Sequence, residues 1–277
     1  MNHLPALFVS DKKETGDGDS SDWTAGRSVL AYGVRVGIRT NKPEALDHFS
    51  EYLPPLWKAS SVSSVDRLFS LHIGKAVHVL FEDSDMTIRS RSLKRVLEDF
   101  GTRVKAYVAE MARRRVFVHA GAVGWHGKAI IIPGRSMSGK TSLVRELVRA
   151  GATYYSDEYA VLDIQGRVHP YPQPLAIRKS GSFIQRKRSV EELGGVAGDK
   201  PLPVGLVIVS QFQADARWRP RQLSSGQGVL EVLANTVPAR RKPEIVMPTL
   251  QRAVADATIL KSARGEAAET VDLILKR

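Results

Sequence analysis

Apolar and polar residues alternate cleanly near the start of the chain. Leu30, Tyr32, Val34, Val36 and Ile38 fall on one side, and Ala31, Gly33, Arg35, Gly37 and Arg39 on the other. A period of two predicts a half-buried β-strand. Residues 43–52 read as a short helix. Strands follow at 68–73 and 76–81, broken by Gly74 and Lys75, with a third at 86–89 after a turn at residues 83–85. Over 93–114 the period becomes helical: Val96, Phe100, Val104, Tyr107, Val108 and Met111 line one side and charges cover the other. Arg113, Arg114 and Arg115 put cations at the end of that helix, where its dipole favours them.

The pattern then changes to buried strands separated by helices. Residues 116–123 (VFVHAGAV) predict a strand with His119 at its end. The run 128–133 (KAIIIP) is apolar and β-branched throughout, the signature of a parallel strand covered on both faces. Gly134-Arg-Ser-Met-Ser-Gly139-Lys140-Thr141 follows, spelling G-x-x-x-x-G-K-[ST]. Residues 141–149 come next as a helix, with Leu143 and Leu147, and Val144 and Val148, on one face. Further strands are expected at 152–158, ending in Asp157 and Glu158, and at 204–209. A hairpin is expected over 159–169 with its turn at Gln165 and Gly166, and helices at 227–237, 248–255 and 266–275.

Strand, glycine loop and helix in that order make a phosphate site. Gly134 permits a sharp turn off the strand, and Gly139 lets backbone approach an anion. Amide groups of the loop and of the helix start point at that anion, and the helix dipole adds to them. Arg135, Ser136, Met137, Ser138 and Ser142 complete the cradle. Lys140 is expected to reach the β- and γ-phosphates of ATP. Thr141 is expected to offer its hydroxyl to Mg²⁺, a hard cation that takes oxygen ligands. Asp157 and Glu158, at the end of the strand after the phosphate-loop helix, are placed for Mg²⁺ or for an attacking hydroxyl. His119 is read either as a packed strand-end residue or as a catalytic group.

Composition narrows the class. The chain holds no cysteine, which excludes disulfides, thiolate metal sites and a cysteine nucleophile and agrees with a cytoplasmic setting. No apolar run approaches the ~20 residues that span a bilayer, so no membrane association is expected. Residues 4–9 are too short for a signal core. The formal net charge is +12, but the cations are spread along the chain and aromatics are sparse, which points away from nucleic acid. The denser basic groups are Arg186-Lys187-Arg188, residues 177–179, and Arg240-Arg241-Lys242. The last either clamps phosphate or an acidic partner or simply matches a helix dipole. Three segments result: a polar, glycine-rich arm at 1–26, an α+β region at 27–114, and an α/β nucleotide domain at 115–277.

His119 on a strand, the loop 134–141, and Ser156-Asp157-Glu158 together resemble the kinase domain of HPr kinase/phosphorylase. The stretches VHAGAVGWHGKAIIIPG, SDEYAVLDIQGRVHPYPQPLAIRK, ANTVPARRKPE and ARGEAAETV resemble the bacterial HPr-kinase-related kinases, some of which phosphorylate a serine of a lasso-type precursor peptide. The likeness is densest over 115–180. Thr141 stands where that family usually has Ser, Met137 where it has Gly, and Glu158 where it has Asp. The glycine-rich stretch tied to phosphorylase activity has no counterpart. The resemblance implies a P-loop kinase fold of the HPr kinase type, a mixed sheet with flanking helices. It implies transfer of the γ-phosphoryl of ATP to a hydroxyl, of serine above all, in a peptide, protein or small molecule. His119, Lys140 and Asp157 match the family's functional positions, and Asp157 would accept the hydroxyl proton. A homo-oligomer is compatible with this reading. Two other readings stay open: a nucleotide-binding regulatory module without transfer, and a nucleic-acid-associated NTPase.

Overall fold

A computed structural model describes residues 23–135, 138–178 and 185–276 of the chain. Most of the arm expected at 1–26 lies outside the described residues, as do Ser136, Met137 and Lys179. The chain divides into two compact units between Arg113 and Arg114. Both are built from mixed sheets and helices, so the class is α/β.

The first unit is a six-stranded sheet in the order β3-β1-β2-β4-β5-β6. Its strands are β1 (Ala25–Ala31), β2 (Val34–Thr40), β3 (Lys58–Ser60), β4 (Arg67–Ile73), β5 (His78–Glu82) and β6 (Asp85–Ser90). Helix α1 (Leu93–Met111) starts at Ser92, whose hydroxyl accepts the Arg95 amide at 3.3 Å. Its stripe of Val96, Phe100, Val104 and Val108 is fully buried. Phe100 meets Phe49 and Phe69 edge to face, at 4.8 and 5.3 Å between centroids.

Two expectations for this unit are corrected. The single strand over 30–38 is a hairpin: Tyr32 (φ 50°) and Gly33 (φ 81°) form a two-residue turn between β1 and β2, with both φ values positive. The turn reverses which parity faces the core, so Val29 and Ala31 are buried whereas Leu30 is exposed. The helix over 43–52 is two short 3₁₀ segments, Pro43–Ala45 and Asp47–Tyr52.

The second unit is an eight-stranded sheet covered on both faces. Its strands are β7 (Arg115–Trp125), β8 (Lys128–Pro133), β9 (Thr153–Ser156), β10 (Tyr159–Asp163), β11 (Val168–His169), β14 (Val204–Phe212), β15 (Arg221–Gln222) and β16 (Thr258–Arg264). β12 (Leu175–Arg178) and β13 (Gln185–Arg188) form a separate two-stranded ribbon. The order in the large sheet is β11-β10-β7-β8-β14-β16-β15, with β9 also on β7. β8 is parallel to β14 and antiparallel to β7, so it is parallel on one edge only.

Alternation along β8 serves both faces. Ile130 and Ile132 join the core under α2 (Lys140–Arg149) and α5 (Ala267–Leu275). Ala129 and Ile131 join the core that takes in α3 (Ser225–Leu233) and α4 (Pro243–Val254). Burial on both sides is why the strand reads as one unbroken apolar run. Helix α4 begins five residues before the predicted start and carries Pro248 inside it. β16 and the β12–β13 ribbon were not predicted.

The β10–β11 turn is organised by one carboxylate. Asp163, 2% exposed, accepts the amides of Gln165 and Arg167 at 3.0 Å each, the Arg167 Nε at 2.9 Å and His169 Nε2 at 2.8 Å. Burial opposes its ionisation, but the bonds from His169 and Arg167 outweigh that and hold its pKa below the ordinary aspartate value. A depressed folded-state pKa stabilises the fold above the unfolded pKa, and that stabilisation is lost as pH falls through the folded one. Asp163→Asn is therefore expected to destabilise the protein at pH 7 by about 1–3 kcal/mol. The gap to wild type should shrink on acidification below the ordinary aspartate range. Urea unfolding followed by circular dichroism at pH 7 and in acid measures both.

Candidate active site

The site forms where β8, α2, β7 and the β9–β10 edge meet. β9 and β10 lie along one edge of β7 in a nearly continuous antiparallel register: Ser156 faces Ala122 and Tyr159 faces His119. The edge is interrupted between them. There the Ser156 hydroxyl, buried, accepts the amides of Glu158 and Tyr159 at 3.1 and 2.9 Å. Asp157 is thus turned out of the ladder beside the first turn of α2.

Helix α2 comes close to β7 because Gly121 yields the space. A Cβ on Gly121 would lie 2.5 Å from Val144 Cγ2. The loop leaves β8 at Gly134, whose amide donates to the His119 carbonyl at 3.1 Å. It enters α2 through Gly139 at φ 86°, a conformation that favours glycine. Gly139, at the N-cap, brings no side chain to cap α2, which suits the start of the helix to an anion.

Lys140 folds back over the loop. Its Nζ donates to the carbonyls of Gly134 and Arg135, both at 2.7 Å. Burial holds its pKa below the usual lysine value, with Asp157 opposing. The Thr141 hydroxyl lies beside the Asp157 carboxylate and favours its charged form, as does the Ala176 amide. Asp157 Oδ1 accepts the Tyr154 hydroxyl at 2.9 Å. Burial nevertheless dominates and raises the Asp157 pKa.

His119 is exposed at the rim, its ring tilted 35° to Tyr159 with 4.7 Å between centroids. Desolvation of its inner edge, then the charge of Lys140, lower its pKa. The Glu158 carboxylate acts on Tyr159, whose phenol is pushed up first by burial and then by that charge.

Of the predicted residues, Gly134, Arg135, Ser138, Gly139, Lys140, Thr141 and Ser142 lie on the loop and the start of α2, and Ser136 and Met137 fall outside the described residues. Thr141 acts on the Asp157 carboxylate, and His119 and Asp157 each interact with Lys140. Arg240 and Arg241 are exposed in the 3₁₀ segment Val237–Arg240 and just after it. That region is tied to β7 by the His119 amide, which donates to the Asn235 carbonyl at 2.8 Å.

Two residues escaped the sequence reading. Tyr154 orients Asp157 from a strand in which it looks like ordinary core. Arg264 reaches the Gly139 carbonyl at 2.6 Å from the unpredicted β16. For the second, the only signal was its place in ARGEAAETV.

Two hard oxygen donors, Thr141 and Asp157, converge where a loop of amides and an ammonium also converge. Mg²⁺ asks little more of a protein, since phosphates and waters complete its octahedron. Among the described residues no cluster of three or more His, Asp or Glu forms a separate metal site. No described helix is long and apolar enough to cross a membrane.

The close approach at Gly121 gives a test. Val144 is β-branched and stiff, so Gly121→Ala is expected to lift α2 and cost about 1–3 kcal/mol in urea unfolding. Adding Val144→Ala should remove part of that cost, measured as a coupling energy in a double-mutant cycle.

No protein-family model matches this chain, and comparison with curated proteins gives no significant match.

Proposed function

We propose that the second unit is a P-loop kinase domain of the HPr kinase type. On this reading it binds ATP with Mg²⁺ on residues 134–142 and transfers the γ-phosphoryl to a hydroxyl, chiefly serine, of a peptide, protein or small molecule. The observation that carries the reading is the convergence of Lys140, Thr141 and Asp157 at the loop, where the Asp157 carboxylate acts on Lys140 and the Thr141 hydroxyl acts on Asp157. It sets the first turn of the phosphate-loop helix beside the carboxylate at the neighbouring strand end, so phosphate, cation and proton acceptor share one locus.

Phosphoryl transfer has a loose transition state, so the protein's task is positioning and charge stabilisation. The loop amides and α2 receive the phosphates. Lys140, now bonded to two loop carbonyls, exchanges them for phosphate oxygens, and the polyanion offsets the desolvation of its ammonium. Mg²⁺ held by Thr141 and Asp157 would neutralise phosphate charge. Asp157 accepts the acceptor's hydroxyl proton, and its raised pKa makes it a better base than a solvated aspartate. Tyr154 fixes the orientation of that carboxylate. His119, neutral near pH 7 because its pKa is lowered, stands at the rim as a hydrogen-bonding partner for the γ-phosphate or the acceptor.

Lys140→Ala is expected to weaken Mg-ATP binding by ~100-fold or more in calorimetry. Asp157→Asn should keep the affinity for metal-free ATP within ~3-fold yet lower transfer by ~10³. Transfer is read by mass spectrometry as phosphate on a panel of serine-containing peptides. Equal transfer in Asp157→Asn and wild type removes Asp157 from the role of base. ATP binding with no phosphorylated product across the panel favours the regulatory module instead.

A further inference from the structure

Arg264 closes β16 and is 1% exposed, among the largest fully buried side chains of the described residues. Its Nη2 donates to the Gly139 carbonyl at 2.6 Å, and its Nη1 to the Gly265 carbonyl at 3.0 Å. Its Nε is buried and has no partner among the described residues. The guanidinium carbon lies 6.0 Å from the Phe212 ring centroid. Among the described residues Glu266 acts to offset it, and no ion pair joins the two. Burying a cation without a paired anion is costly, by several kcal/mol. A fold that keeps one beside a phosphate loop has a counter-anion to offer it when that loop is filled.

The contact with Gly139 is specific in direction. Gly139 is the left-handed residue at the entry to α2, and a Cβ there would lie 2.5 Å from Arg264 Nη2. Its carbonyl already accepts the Leu143 amide at 3.2 Å, the first bond of the helix. Arg264 takes the remaining lone pair. In a trans peptide the carbonyl and the following N–H point in opposite directions. Holding the Gly139 carbonyl from outside therefore aims the Lys140 N–H into the loop. A cation on that carbonyl also polarises the peptide and strengthens the N–H as a donor.

We propose that Arg264 is a positioning residue for the nucleotide polyphosphate: it fixes and polarises the Gly139–Lys140 peptide, and the bound polyphosphate is the anion that balances its buried charge. This rests on the nucleotide-binding reading above. Arg264 makes no contact with the reacting atoms; it acts through one peptide unit.

The test compares wild type, Arg264→Gln and Arg264→Lys as full-length chains, below their melting temperatures. Each is titrated calorimetrically with Mg-ATP and Mg-ADP, and its ligand-free melting temperature is recorded. Glutamine keeps a donor and loses the charge; ATP and ADP should bind ~10-fold or more weakly to the folded variant. Lysine keeps the charge and loses the fork that spans both carbonyls, and an intermediate loss, about threefold to tenfold, is expected. A role confined to packing lowers the melting temperature and leaves both dissociation constants within twofold of wild type; that result overturns the proposal. If the glutamine variant does not fold, the lysine variant decides, with unchanged ATP affinity counting against the proposal. Wild type that binds neither nucleotide brings down the nucleotide reading and this inference together. Wild type that binds, with variants equal to it, removes Arg264 alone.

Discussion

The site depends on how closely helix α2 lies against strand β7. The strand gives up a side chain at Gly121, and Val144 fills that space. At this separation the first turn of α2 sets Thr141 beside Asp157, which projects from the edge β7 shares with β9 and β10. The rest is arranged around that pair. Gly134 turns the chain off β8, Gly139 starts the helix, and Lys140 spans the loop between them. A sheet packed on both faces supplies the rigid base, because cores on opposite sides fix the position of β8 independently.

The electrostatics follow from burial with incomplete pairing. Lys140 and Asp157 are each pushed toward neutrality by desolvation, and each partly relieves the other. Arg264 adds a third group of the same kind behind the loop. Titratable groups set against desolvation in one small region mark functional sites more often than structural ones. The contrast is Asp163, whose buried carboxylate meets enough donors to ionise more readily than usual, and which organises a turn.

Much of this could be read from residues alone because strong local signals coincide in the second unit. The β8 strand and the amphipathic α2 lie as expected, since burial on both faces and helical period each leave their own mark. The hairpin of β1 and β2 was hidden because the turn residue Tyr32 carries no turn chemistry, and because the alternation of 30–38 runs through the turn without a break. β16 was hidden for the opposite reason. Its large apolar residues are Ile259 and Leu260, and it ends in an arginine, a residue seldom buried. Contacts such as Tyr154 to Asp157 depend on the register and irregularity of β9 against β7, which no local pattern encodes.

The Tyr154 hydroxyl lies 2.9 Å from Asp157 Oδ1 and 2.8 Å from the Gln173 carbonyl oxygen. A phenol owns one hydrogen, so it serves one of these acceptors at a time. With the carboxylate charged, that hydrogen belongs to Asp157. Once the carboxyl group gains its own hydrogen, it donates to the phenol and the phenol turns to Gln173. The rotor angle of a single O–H thus records whether the aspartate is empty or loaded, and it carries that state one bond further, to the backbone that leads into the β12 ribbon.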